Sequence, residues 1–172
     1  ILLDLLKNKV VLLGVSLILG FGLVKVFINL INPPFGWDNL SYHFVFPVEW
    51  LKHGNLDTPL TICDDPSPPY YPINASLFFL WFTLPLKNVF LADLGQLPFF
   101  VLAFMSIYSI CRKLDIDKSM SICAASLFII TPNIFKQVEI AYVDVMVAAL
   151  FLSALNFLIG LIPTVSLPNA RI

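Results

Sequence analysis

Long apolar stretches dominate this sequence and leave few folds open to it. Of the residues 59% are hydrophobic and 12% are charged, whereas soluble domains are about 45–50% apolar and about 25% charged. A helix needs roughly 20 mainly apolar residues to cross a bilayer. We therefore predict an all-α integral membrane protein with about four transmembrane helices, at residues 10–31, 91–111, 119–135 and 141–162.

Charge and cysteine content exclude several classes of function. The 10 Lys and Arg residues are scattered and the formal net charge is −1, so no basic face indicates a nucleic-acid partner. The three cysteines, Cys63, Cys111 and Cys123, form no CxxC pair and no metal-ligand spacing. We expect them to pack as small apolar residues.

The two ends of the sequence predict a longer parent protein. The chain starts with Ile1 rather than Met and ends in the mixed stretch PTVSLPNARI. We therefore interpret residues 1–172 as the N-terminal part of one polytopic membrane domain. Lys7 and Lys9 precede the first apolar stretch, but no small-residue cleavage pattern follows, which favours an anchor helix over a signal peptide.

A shorter apolar segment, 73–86, decides between two topologies. Its length is typical of an interfacial or re-entrant helix. If it does not cross, Lys and Arg are more numerous on the side of the N-terminus, as the positive-inside rule prefers. If it crosses, the two sides balance. The sequence favours four spans with a cytoplasmic N-terminus and an outer loop at 32–90, and five spans remain the alternative.

The outer loop contains a predicted amphipathic helix. Leu40, Phe44, Val48 and Leu51 recur at helical spacing, which indicates a juxtamembrane helix lying on the outer leaflet. Pro47 is expected either to kink this helix or to open its second half.

Two carboxylates are the strongest candidates for chemistry. Asp38 lies at the outer mouth of the first predicted span, and Asp144 lies about one turn inside the last one. An acid within a span usually faces a cavity or a partner. In the four-span topology both acids reach the outer side. The alternatives are that Asp38 caps a helix beginning at Asn39 and that Asp144 bonds to a neighbouring helix.

Two blocks of residues near the ends of the predicted spans form recognisable motifs. The first block, Trp37-Asp38-Asn39-Leu-Ser-Tyr42-His43, is followed by Trp50-Leu51 and Tyr71-Pro72. The second comprises Thr131-Pro132, Glu139 and Tyr142-Val143-Asp144. The two blocks resemble the first and next outer loops of the membrane-embedded glycosyltransferases of the C-type fold, family 39, which includes protein O-mannosyltransferases and the lipid A aminoarabinose transferase.

The resemblance implies a function and a set of site residues. The function is transfer of a sugar from a polyprenyl-phosphate-linked donor to an acceptor hydroxyl at the outer membrane face, with inversion. Membrane lipids and the lipid-linked donor are the expected partners. Many members have Asp-Glu at the first site, whereas Asn39 follows Asp38 here, which leaves open whether a divalent cation takes part. The implied residues are catalytic Asp38 and Asp144, and substrate-binding Tyr42, His43, Tyr71 and Glu139.

Other functions remain open at this point. Intramembrane carboxylates also suit a transporter or a lipid-handling subunit, and a non-catalytic scaffold is a third alternative. The long aromatic and Pro-rich loop favours the transferase, whereas paired broken helices would favour a transporter. His43 also suits a packing role, and Glu139 an ion pair beside Lys136.

Overall fold

A computed structural model describes residues 8–59 and 65–161 of the chain. Within these ranges the protein is helical and contains no β-strand. Short 3₁₀ or π-helical turns connect several of the helices. The α-helices are α1 (Lys9–Ile31), α2 (Val45–His53), α3 (Asn74–Thr83), α4 (Leu97–Lys113), α5 (Lys118–Ile130), α6 (Pro132–Lys136) and α7 (Asp144–Leu161).

Within the described ranges, three helical stretches are long and apolar enough to span a membrane. They are Val11–Ile31, Val89–Lys113 and Asp144–Leu161, which correspond to the first, second and fourth predicted spans. In the second stretch, a 3₁₀ segment (Val89–Gln96) leads directly into α4. Large apolar side chains on these helices face outward rather than into the protein, Phe21, Leu23 and Phe151 among them. This distribution agrees with an all-α membrane protein.

The third predicted span is not one straight helix. Residues 119–135 were expected to be continuous, but the helix breaks at Thr131 and α5 and α6 meet at a bend of 60°. Pro132 explains the break, because a residue before proline is driven out of the helical region. Thr131 accordingly has φ −53° and ψ 125°. The pair forms one span only as a bent unit.

The core lies where α4 packs between α5 and α7. Ala103 of α4 and Ala149 of α7 are fully buried and are surrounded by Phe100, Ile129 and Val145. Because alanine has the smallest side chain that keeps helix propensity, it allows close contact between the two helix backbones. This packing fixes the start of α7, where Asp144 lies.

The segment between the first two spans contains α3, which is too short to cross a bilayer. Its 10 residues extend about 15 Å, half of the roughly 30 Å of a hydrocarbon core. Phe79 of α3 is fully buried and its ring packs on the 3₁₀ segment, where a Cβ at Gly95 would come within 2.8 Å of it. Among the described helices, α3 is therefore not one of those long and apolar enough to span a membrane.

The predicted amphipathic helix differs from the structure in its first half. Residues Asn39–His43 form a π-helical turn, closed by a 3.0 Å hydrogen bond from the Phe44 N–H to the Asn39 carbonyl. Helical periodicity of 3.6 does not hold in such a turn, so Leu40 is exposed. The polar residues Asn39, Ser41 and His43 are buried instead. α2 then begins at Val45, so Pro47 lies in its first turn, as expected for a proline that opens a helix.

Candidate functional site

Asp38 lies between Gly36, where the backbone adopts a left-handed conformation, and the π-helical turn Asn39–His43. Gly36 has φ +109°, a value that side chains disfavour, and it packs directly against Ile140. Asp38 immediately precedes the turn, yet its side chain makes no capping hydrogen bond. The capping role considered from the sequence is therefore not observed, and the carboxyl group is available for other contacts.

Asp38 and Asp144 lie close enough to interact electrostatically. Burial raises the pKa of Asp38, the negative charge of Asp144 raises it further, and a hydrogen bond donated by the Tyr42 hydroxyl opposes both effects. A carboxylate with a raised pKa accepts a proton more readily near neutral pH. The structure thus brings together the two acids that the sequence selected.

Two tyrosines lie on one side of Asp38: Tyr42 contacts Asp38, and Tyr71 contacts Tyr42. Burial and the neighbouring Asp38 charge raise the pKa of Tyr42, so its hydroxyl stays protonated and remains a donor. The Tyr71 ring meets the Tyr42 ring edge-on, with 5.4 Å between their centroids. Tyr71 is also 46% exposed, so this side of the pair is open. The pair therefore presents aromatic surface and hydroxyl groups that can pack against and hydrogen-bond to a ligand.

Asp144 is held by a glutamine that the sequence analysis did not select. The Gln137 side-chain amide donates to Asp144 Oδ2 at 3.0 Å, and its oxygen accepts from the Val145 N–H at 3.3 Å. Gln137 thus orients Asp144 and satisfies a free N–H at the start of α7. No periodic pattern marks this residue, because its partners depend on the bend at Pro132.

Glu139 lies beside this contact and forms an ion pair. Its partner is Lys25 of α1, and not the expected Lys136. Asn29 of α1 also donates to the Val138 carbonyl at 2.9 Å. Together these bonds tie the turn that carries Gln137 to the first span. In this arrangement Glu139 supports the site rather than lining its open side.

His43 is buried behind the tyrosines. Its Nδ1 and Ser76 Oγ form a 3.1 Å hydrogen bond, and its ring packs between Tyr42 and Phe79. Burial lowers the pKa of His43 to about 4, so the imidazole is neutral at physiological pH. With 2% of its surface exposed, His43 occupies the packing role that was considered beside the substrate-binding one.

Three further buried polar residues were missed, namely Asn39, which follows Asp38 in the chain, and Asp93 and Gln96 of the 3₁₀ segment. Asp93, Asn39 and Gln96 expose 3%, 0% and 0% of their surface. The Asn39 amide donates to Asp93 at 3.3 Å, and the Gln96 amide donates to the Ile140 carbonyl at 3.5 Å. A signal for Asp93 was present, because it is the single acid between residues 91 and 111.

A transition-metal centre is not indicated by the described residues. Among them, no three His, Cys, Asp or Glu side chains are grouped to hold a metal ion. Cys111 and Cys123 are free thiols, and Cys63 lies outside the described residues.

Comparisons with models of protein families, with curated proteins and with solved structures find no match to this chain.

Proposed function

We propose that this chain is part of a membrane glycosyltransferase that uses a polyprenyl-phosphate-linked sugar. The observation that supports it best is the electrostatic interaction of Asp38 with Asp144, together with the hydrogen bond from Tyr42 to Asp38 and the ring contact between Tyr42 and Tyr71. The site lies where the apolar helices end, at the start of α7 and shortly after α1. A lipid-linked donor keeps its tail in the bilayer and presents its sugar at this level.

The proposed topology has four spans. They are α1, the stretch Val89–Lys113, the bent pair α5–α6, and α7, with the N-terminus in the cytoplasm. The exposed aromatic residues Trp37, Tyr70 and Trp81 belong to the connecting segment and suit the headgroup layer. The site then faces the periplasm, the lumen or the outside of the cell.

In the proposed reaction Asp38 is the general base. The acceptor hydroxyl gives its proton to Asp38 while its oxygen attacks the anomeric carbon. The bond between that carbon and the phosphate oxygen breaks, and polyprenyl phosphate leaves with the electron pair. A single displacement of this kind inverts the anomeric centre. Asp144, fixed by Gln137, orients the acceptor, and Tyr42 and Tyr71 contact a sugar.

A transporter is the second candidate, and one observation favours it. Discontinuous helices line the substrate sites of many transporters, and α5 and α6 form such a broken pair. However, that is the one bent pair in the described ranges, whereas transporters of this kind have matching breaks in two repeats. The transferase therefore accounts for more of the site.

The decisive experiment is a transfer assay on the full-length parent protein in membranes. A panel of labelled polyprenyl-phosphate monosaccharides serves as donors. Asp38→Asn keeps the shape of the side chain and removes the basic oxygen, so transfer should fall at least about 100-fold. The matched control is Asp117→Asn, because Asp117 caps α5 through the Ser119 and Met120 N–H groups and Asn caps equally well.

Two results would contradict the proposal. One is an Asp38→Asn protein present at normal level with most of its transfer activity. The other is a well-folded wild-type protein that transfers no sugar from any donor in the panel.

A further inference from the structure

A short motif in the segment between the first two spans has no part in the proposed reaction. Asn74-Ala75-Ser76 matches the acceptor pattern for N-linked oligosaccharides, in which Ser or Thr follows an asparagine after any one residue except proline. Asn39-Leu40-Ser41 is the other match in the sequence. Because so short a pattern also arises by chance, the accessibility of each asparagine has to decide between the two.

The structure separates the two matches by burial. Asn39 exposes 0% of its surface and its amide donates to Asp93, so an oligosaccharide at Asn39 is incompatible with this fold. Asn74 is exposed and is the first residue of α3. The preceding residues Tyr71 and Pro72 are exposed as well, so a bulky group on the Asn74 amide can extend into solvent.

The hydroxyl group of the Asn74 motif is hidden in the folded protein. Ser76 exposes 1% of its surface, and its Oγ and His43 Nδ1 form a 3.1 Å hydrogen bond. Residues two apart on a helix do not share a face, which explains why Asn74 is exposed while Ser76 packs against His43. An enzyme that recognises both side chains together therefore has to act before α3 forms.

The order of synthesis provides this interval. α3 has 10 residues, and isolated helices shorter than about 12–15 residues are only marginally stable in water. Its buried residue Phe79 belongs to a cluster with Ala92, Ala141 and Met146, all of which follow α3 in the chain. Until these partners have been made, α3 lacks most of its core and its motif stays accessible.

We propose that Asn74 is a modification site for an N-linked oligosaccharide, transferred from a polyprenyl-diphosphate carrier during synthesis of the chain. The Asn74 amide nitrogen bonds to the anomeric carbon and gives a proton to a base of the modifying enzyme. The bond between that carbon and the phosphate oxygen breaks, and polyprenyl diphosphate leaves with the electron pair. The site rests on the proposed outer position of residues 32–90 and is independent of the reaction at Asp38.

Expression of the chain in a eukaryotic host, which supplies the modifying enzyme and its donor, tests the site. We expect one discrete decrease in electrophoretic mobility that peptide N-glycosidase reverses. That treatment converts a glycosylated asparagine to aspartate, so mass spectrometry should find the conversion at Asn74. In pulse labelling the shift should be complete after the shortest pulses, because Ser76 is buried once α3 has packed.

Three variants locate the modification. Asn74→Gln removes the acceptor amide, and Ala75→Pro ends the motif while it keeps Asn74 and Ser76. Proline is tolerated in the first turn of a helix, and both variants should lose the shift. Asp57→Ser is the positive control, because it creates a further acceptor at Asn55 in the exposed turn after α2. This variant should show one additional step.

A wild-type chain without the oligosaccharide would overturn the proposal. So would a shift that persists in Asn74→Gln or Ala75→Pro, or one that develops only during the chase. The Asp57→Ser variant shows whether the topology fails as well. Modification at Asn55 alone would leave the outer position of the segment in place, whereas an unmodified Asp57→Ser chain would place the segment away from the modifying enzyme.

Discussion

Ile140 lies so close to Gly36 that a Cβ added at Gly36 would come within 2.9 Å of Ile140 Cγ2. Gly36 leads into Asp38, and Ile140 leads into Asp144. The contact therefore holds the two backbone segments that carry the acids against each other. Backbone packing, and not attraction between side chains, brings two like charges together at the candidate site.

Gly36→Ala should destabilise the protein. The new methyl group meets Ile140 and forces alanine into a left-handed conformation, at φ +109°, so we expect the free energy of unfolding to fall by about 1–3 kcal/mol. Thermal unfolding in detergent measures the change. Gly14→Ala is the matched control, because nothing lies within 4 Å of its Cβ position and alanine is favoured in a helix by about 1 kcal/mol. Equal effects of the two variants would contradict this account of Gly36.

The Lys25–Glu139 ion pair should show strong coupling in a double-mutant cycle. Its side chains are 24% and 17% exposed, so removal of either charge leaves the other largely without solvent or partner. We expect Lys25→Met and Glu139→Gln each to destabilise more than the double variant, with a coupling energy of about 0.5–3 kcal/mol. The exposed Lys52–Glu49 pair is the control and should couple by less than about 1 kcal/mol. Similar values for both pairs would refute the distinction.

Stability should decrease as the pH falls from about 6.5 to about 4. In the folded protein the pKa of His43 is lowered to about 4 from its usual 6.5. Within this window the unfolded chain binds a proton that the folded chain does not, so acidification favours unfolding. The loss from His43 approaches about 3 kcal/mol at its low-pH limit. The measurement is the free energy of unfolding as a function of pH.

A His43→Gln variant should lose this part of the pH dependence, because Gln keeps a group able to bond to Ser76 and does not titrate. An unchanged slope in His43→Gln would show that other groups cause the acid sensitivity.

The four-span topology predicts which cysteines a membrane-impermeant maleimide labels in intact cells. Ser76 is unsuitable as a labelling position, because it is buried against His43. Cysteines in place of the exposed Asn74, the first residue of α3, and the exposed Leu86, three residues after its end, should both react from outside. A cysteine in place of Leu114, exposed after α4, should be protected until the cells are opened. A Cys63→Ser background removes the native thiol of the loop.

Labelling of the Asn74 and Leu86 positions from opposite sides would show that the segment crosses the membrane. It would support five spans and separate Asp38 from Asp144 across the bilayer. Labelling of the Leu114 position in intact cells would have the same meaning.

The sequence predicts the long helices well, because hydropathy alone sets their approximate positions. α1 and α7 begin and end within a few residues of the expected bounds. Pro132 also marks the break between α5 and α6 in the sequence, but an uncharged run by itself does not distinguish a bent span from a continuous one. Composition locates a span and says less about its straightness.

The sequence predicts the two acids of the candidate site but not the residues that surround them. Asp38 and Asp144 stand out as charges near span ends, and Tyr42 follows Asp38 at helical distance. The roles of Gln137 and Asn39 depend on contacts between segments far apart in the sequence, which no local pattern encodes. The π-helical turn also reversed the expected orientation of Leu40, because the pattern assumed an ordinary α-helix.

The 60° bend between α5 and α6 has a consequence for the surrounding bilayer. α5 has 13 residues and extends about 20 Å, whereas a hydrocarbon core measures about 30 Å. A membrane-embedded chain with this geometry imposes a hydrophobic mismatch on the face that α5 presents. Either the bilayer becomes thinner at that face, or the Lys118 and Lys136 side chains extend to the headgroup layer. Because α6 leads directly into the turn that contains Gln137, the thickness of the bilayer affects that turn. Thin membranes should suit this protein best.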